Sequence, residues 1–298
     1  MRRLKIRVPA TSANMGPGFD SLGLALKIYN TMIIEENDVD KVEFLSELEN
    51  DFLLNPEYNN FFKILKTELK ILGIENKNYF IQFNNEIPMA RGLGSSSAVI
   101  VSSIMAAHLI AGVEFSKKKI LNKALKYETH PDNITPAIYG GFTVSILSKD
   151  KVIFQKKNIE EDLDVILAIP NIKTNTKSSR TTLRKNYKME DVVFNISRAA
   201  LVTSSFFNSD WRLLKEATKD KLHQTKRMSD MPILFDIRKE ALRSGSLMST
   251  LSGSGPTIFN LSFKKNTDYI YNNLKNKFQD IKIKKTNIDN KGLTWEWL

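Results

Sequence analysis

Apolar and polar positions alternate along "LKIRV" (4–8), "LALKIYNTMIIEE" (24–36) and "YFIQFNNEI" (79–87). A period of two sends successive side chains to opposite faces, so these stretches predict strands. Between the second and third, "PEYNNFFKILKTELKILG" (56–73) spaces its apolar residues three and four apart, which predicts a helix. The pattern then changes to one apolar run, "VIVSSIMAAHLIAG" (99–112), broken only by Ser102, Ser103 and His108. That run is too short to span a bilayer and predicts a helix buried on all sides. In "SKKKILNKALKYE" (116–128), Ser116 is a natural N-cap, with Ile120, Leu121, Ala124 and Leu125 at helical spacing behind it. "THPDNITPAIYGG" (129–141) is dense in turn formers and predicts a turn region leading to a strand at "FTVSIL" (142–147).

The pattern restarts near Asp162 with a strand, "DVILAIP" (164–170). Helical spacing follows in "EDVVFNISRAALVTSSFF" (190–207), "DWRLLKEATKD" (210–220) and "PILFDIRKEALRSG" (232–245). A glycine-centred hairpin (246–263), a helix (268–278) and closing strands complete the chain. Strands and helices mixed in both halves predict two α+β domains in contact, residues 1–162 and 163–298.

Composition narrows the chemistry. With no cysteine, thiolate catalysis and sulfur-ligated metals are excluded, and the three histidines have no zinc-like spacing. The first residues carry charge without a continuous apolar stretch, so the expected location is the cytoplasm, with no membrane segment. The net charge of +11 would suit nucleic acid or phosphorylated small molecules. The lysines are scattered over separate elements without interleaved aromatics, which favours a solvated surface over a nucleic-acid partner.

Three small-residue stretches remain. "PMARGLGSSSA" (88–98) falls at a strand-to-helix turn. It lacks the lysine of a Walker loop and the third glycine of a dinucleotide fingerprint. It reads either as a serine-capped turn or as an anion cradle at a helix N-terminus, where unpaired N–H groups and the helix dipole favour phosphate. "PATSANMGPGFDSLGLAL" (9–26) places Asn14 and Asp20 on a tight turn, and "LSGSGPT" (251–257) is a third such loop. Three of them, each beside a regular element, point to a shared ligand site.

Together these stretches resemble the signature motifs of the GHMP kinases, named for galactokinase, homoserine kinase, mevalonate kinase and phosphomevalonate kinase. "VPATSANMGPGFDSLGLAL" and "HPDNITPAIYGGF" (130–142) resemble the homoserine-kinase branch in particular. The resemblance spans residues 8–257 and implies a two-domain α+β fold. Its N-terminal domain would be like a domain of a ribosomal small-subunit protein, and its C-terminal domain ferredoxin-like. It implies ATP and Mg²⁺, L-homoserine as the phosphoryl acceptor, a step towards threonine, and it allows a homodimer.

Residue by residue, the resemblance implies that Pro88, Arg91, Gly92, Leu93, Gly94, Ser95, Ser96 and Ser97 wrap the ATP phosphates. Ser96 and Glu128 would hold magnesium. Asn14, Asp20 and Asn133 would hold the amino-acid substrate, with Arg180 and Arg227 on its carboxylate. Asn133, Glu128 and Ser96 would form the catalytic set, with no dedicated base. Asp132 is the rival for that base, against a plain helix- or turn-capping role. The chemistry suits these types: a zwitterion needs an anion for its ammonium and planar guanidiniums for its carboxylate. Two places depart from the family pattern: "HQTKR" (223–227) stands for the usual HQPYR, and "SLMS" (246–249) for G-A-x-G.

Overall fold

The computed structural model describes residues 2–46, 51–160, 162–174 and 176–298, with only the backbone of residues 51 and 176–178. In chain order the elements are β1 (Leu4–Ala13), β2 (Leu22–Asn37), β3 (Lys41–Phe44), α1 (Asn60–Ile71), β4 (Asn78–Asn85), α2 (Ser95–Ile110), α3 (Lys117–Ala124), α4 (Pro131–Tyr139), β5 (Phe142–Ser148) and β6 (Lys151–Lys157). They continue with β7 (Leu163–Ile169), α5 (Thr176–Thr181), α6 (Met189–Asn208), α7 (Leu214–Ala217), α8 (Gln224–Met228), α9 (Ile233–Arg243), β8 (Met248–Leu251), β9 (Ile258–Phe263), α10 (Lys264–Lys277), β10 (Lys282–Thr286) and β11 (Thr294–Trp297).

Two sheets result. The first runs β11-β1-β2-β4-β3, and the near end of the long β2 also pairs with β5, which pairs with β6. Only β3 with β4 is parallel. The second sheet has the order β10-β7-β9-β8, all antiparallel. With helices between β7 and β8 and between β9 and β10, that order is the ferredoxin-like β-α-β-β-α-β arrangement. The segment after β10 returns to the first sheet: Lys27 N donates to Asn287 O (2.8 Å), Asp289 N to Ala25 O (2.9 Å), and β11 pairs with β1.

The apolar run forms α2, whose residues from Ser97 to His108 are nearly all buried between the first sheet and helices α1 and α4. Its serines are absorbed locally: Ser102 and Ser103 hydroxyls bond back to carbonyls one turn earlier (2.6 and 2.7 Å). Ser116 caps α3 through Lys119 N (3.2 Å), as its position predicts. Several elements differ from the sequence expectation: β3, β6, α5 and α8 form where no element was expected, and residues 131–139, expected as turn, form α4. The turn formers there serve as a helix start, with His130 extended as N-cap, Pro131 in the first position and Asp132 in the first turn. Pro136 removes the donor that would face the Asp132 carbonyl, and Gly23 packs where a Cβ would stand 1.9 Å from that oxygen. Among the described residues no helix is long and apolar enough to cross a membrane.

Candidate active site

The three glycine-rich stretches pack on one another. Gly92, at φ +73°, sits where a Cβ would lie 2.2 Å from the Ser252 carbonyl of the third stretch, and Ser252 Oγ donates to Gly92 O (2.7 Å). Gly94, at φ +72°, leaves space for the Thr11 hydroxyl, 1.9 Å from where a Cβ would be. Asn14 joins the first stretch to the third: its Nδ2 donates to Gly253 O (3.0 Å) while its Oδ1 accepts from Asp20 N (3.0 Å). Asn14 (φ 69°) and Asp20 (φ 59°) both adopt left-handed backbone, which Asn and Asp tolerate better than other side-chain-bearing residues. The glycines thus do two jobs, leaving the helix start open and letting three loops meet.

Gly94 is the N-cap of α2 and has no side chain to cap it. The helix therefore begins with first-turn N–H groups that favour an anion. Ser96 is exposed there, Ser95 half-buried, Ser97 buried, and Leu93 anchors the loop in the core. Pro88 is half-buried at the end of the preceding strand. The Arg91 side chain turns away from this helix start: its guanidinium donates to Pro170 O (3.1 Å), Met89 O (3.0 Å) and Asn171 Oδ1 (3.0 Å), buttressing the loop against the end of β7. Asn133, in the first turn of α4, accepts from Thr11 Oγ1 (2.7 Å), and its Oδ1 is 3.3 Å from where a Gly94 side chain would begin. The starts of α2 and α4 therefore converge.

Beside them lies a charged cluster. Asp20 pairs with Arg180 (2.6 Å), and its second oxygen stands 3.9 Å from His130 Nε2. Glu128 Oε1 accepts from the His130 main-chain N (3.2 Å) and contacts its ring Nδ1 (2.8 Å). Burial pushes the Glu128 carboxyl up, but the hydrogen bonds from His130 outweigh it and hold the group below the usual range. The same bond to Glu128 raises His130, against burial, with Asp20 adding to the rise. Arg227 donates to Gly253 O (3.2 Å) and faces His223 Nδ1 (3.4 Å), and burial followed by the Arg180 charge loosens its proton. Fully buried His223 is lowered by burial, and its Nε2 donates to Gly16 O (2.7 Å). Asn14, Asp20, Glu128, Arg180 and Arg227 are thus linked directly or through shared partners, while Asn133 lies with Ser95–Ser97 at the α2/α4 convergence.

Burial, followed by the Asp20 charge, pushes the wholly enclosed Asp132 up to about 7. A carboxyl raised in the folded state favours folding below its unfolded pKa, and that contribution is lost as pH climbs from about 4 to about 7. Asp132→Asn should therefore raise the thermal midpoint by several degrees at pH 8 and by clearly less at pH 4.5. An equal gain at both values would assign the effect to packing.

Ser96 offers an exposed hydroxyl at the helix start and Glu128 a carboxylate kept ionised at neutral pH, both hard oxygen donors. Magnesium takes few protein ligands and fills its shell with phosphate oxygens and water, so the set fits. A cavity of about 750 Å³ shares only the Pro17–Leu22 turn with this cluster and its lining holds no charged side chain. The uncapped start of α2 lies outside that cavity. Thr11, His223 and Phe19 went unnoticed in the sequence. A hydroxyl inside a strand, a lone histidine and an aromatic in a turn carry no local signal of their own.

Two family descriptions match the chain: GHMP kinases N terminal domain over residues 59–141 and GHMP kinases C terminal over residues 200–280. The chain belongs to the GHMP kinase family. This GHMP kinase is 46% identical to a homoserine kinase of Nautilia profundicola, over 97% of its own length and 98% of that protein's. It is 43% identical to the homoserine kinase of Aliarcobacter butzleri, over 98% and 100%. Among solved structures, a homoserine kinase from Cytophaga hutchinsonii superposes with a TM-score of 0.86 at 27% identity, over 99% and 97% of the two chains. The two-domain fold expected from the motifs is the fold observed.

Proposed function

We infer that this GHMP kinase transfers the γ-phosphoryl group of ATP to the side-chain hydroxyl of L-homoserine, giving O-phospho-L-homoserine and ADP on the way to threonine. The homoserine-kinase relatives that match it nearly end to end support the activity. The observation in this site that carries it is the Asp20–Arg180 ion pair with Arg227 beside it. A zwitterionic amino acid can take both halves of that pair, its ammonium on Asp20 and its carboxylate on Arg180 and Arg227. Mevalonate, which has a carboxylate but no ammonium, would draw the arginines to itself and leave Asp20 without a cation.

In this reading the ATP phosphates lie on the N–H groups and glycines of residues 88–97, Arg91 contributing through its backbone while its side chain braces the loop. The Ser96 hydroxyl and Glu128 carboxylate would hold Mg²⁺, which when bound neutralises charge on the phosphates. Asn133, fixed by Thr11, would orient the acceptor hydroxyl towards the start of α2. Phosphoryl transfer is carried mainly by alignment and charge neutralisation, so no dedicated base is required. The cytoplasm is the setting that fits this reading.

The test is ADP release with Mg-ATP in the presence of L-homoserine, mevalonate, galactose or no acceptor. A rate that depends on L-homoserine and exceeds the others at least tenfold is the expected result. Turnover with a different alcohol would keep the ATP site and remove the assignment of Asp20 and the arginines.

A further inference from the structure

Phe19 stands in the tight turn between β1 and β2, next to Asp20. Both arginines rest on its ring: the guanidinium carbon of Arg180 is 5.0 Å from the ring centroid and that of Arg227 is 5.1 Å. The His223 ring packs on it as well, centroids 5.0 Å apart and planes inclined by 37°. His223 is itself fixed by Gly16 of the same turn and contacts Arg227. Two like charges are therefore held close together in a partly buried site, where burial and then the Arg180 charge loosen the proton of Arg227. Arg227 also keeps a buried Nε that has no hydrogen-bond partner among the described residues. Asp20 pairs directly with Arg180 and faces His130, and it acts on Arg227 only through space, as Asp132 and Asp220 do. An aromatic face carries partial negative charge and attracts cations without neutralising them or competing for their donors. A carboxylate in the same place would form its own ion pair and exclude the substrate.

We propose that Phe19 is a specificity-determining residue. It is the platform that fixes the spacing of the Arg180 and Arg227 guanidiniums, so that they remain charged, close and open to an incoming carboxylate. The proposal rests on the reading that these arginines hold the carboxylate of L-homoserine. It assigns Phe19 to the recognition of α-carboxylates, acting through the arginines and not by touching the reacting atoms. A purely packing role is the alternative, since Phe19 also borders the apolar cavity. The two differ in outcome, because leucine fills apolar space but has no π face.

Phe19→Leu should raise the KM for L-homoserine about tenfold while the KM for ATP and the thermal midpoint stay near those of the parent. Pentafluorophenylalanine at position 19 keeps the shape and reverses the ring's charge distribution, so it should raise the same KM comparably in a protein that folds normally. Wild-type KM in the fluorinated protein would overturn the proposal, whatever Phe19→Leu does to folding. A double-mutant cycle separates the layers. In an Arg227→Ala background, Phe19→Leu should add less than about threefold, because the group it acts through is gone. A full and independent tenfold loss there would also overturn the proposal. If Arg227→Ala alone left the KM for L-homoserine unchanged, the carboxylate reading itself would fall. If Arg227→Ala raised that KM while the fluorinated ring did not, only the role of Phe19 would.

Discussion

Glu128→Gln should lower kcat roughly a hundredfold or more with little change in thermal midpoint, and should shift the Mg²⁺ dependence to higher concentration. The exchange is a narrow one. Glutamine keeps an acceptor oxygen where Glu128 Oε1 now meets the His130 main-chain N and ring, so the turn before α4 retains its geometry. What it loses is the negative charge. That charge persists to unusually low pH in the parent, because His130 holds the carboxyl below its usual range. A hundredfold corresponds to about 2.7 kcal/mol of transition-state stabilisation, a reasonable share for one ligand of a metal that neutralises phosphate charge. Steady-state assays at saturating ATP and L-homoserine, with magnesium titrated, measure the effect. Turnover like that of the parent would remove Glu128 from the metal site and leave it as a brace for His130.

Arg227→Ala should raise the KM for L-homoserine on the order of a hundredfold and leave the KM for ATP within about twofold. A hydrogen bond to a charged group contributes about 1.5–3 kcal/mol, and a guanidinium offers a carboxylate two of them in one plane. The side chain is largely buried, so solvent cannot replace it. Its side-chain hydrogen-bond partners, Gly253 O and His223 Nδ1, are a backbone carbonyl and a neutral ring. Losing them should cost the fold little. Arg227→Lys should recover only part of the loss, because an ammonium lacks the planar fork. If the increase instead appeared in the KM for ATP, Arg227 would belong on the phosphate side of the site.

Much of this was legible beforehand for identifiable reasons. A long apolar run preceded by Gly-Leu-Gly-Ser-Ser-Ser leaves few options other than a buried helix with an open start, and α2 is that. Ser116 could be assigned because an N-cap acts within three residues of itself. The helix α4 was missed because Pro, Asp and Asn stand equally well in a turn and in a first helical turn. The deciding factor, Gly23 accommodating the Asp132 carbonyl, lies over a hundred residues away in sequence. The direction of Arg91 was equally hidden, since Pro170 and Asn171 receive it from the far side of β7. The glycines at 92 and 94 were read for what they could admit, and the structure adds what they pack against. The resemblance to the family's motifs can nominate Asp20, Glu128, Arg180 and Arg227 as a group, but only the fold can set a phenyl ring against two of them.

The return of residues 287–297 to the first sheet has a mechanical consequence. The chain passes between the two sheets twice, once from β6 to β7 and once directly after β10. Residues 163–286 are thus fastened to the first sheet at both ends, and β7, β8 and β9 share one apolar core with it. A segment sewn at both seams and glued along its apolar face cannot peel away from one end alone, so the two sheets should unfold as one cooperative unit.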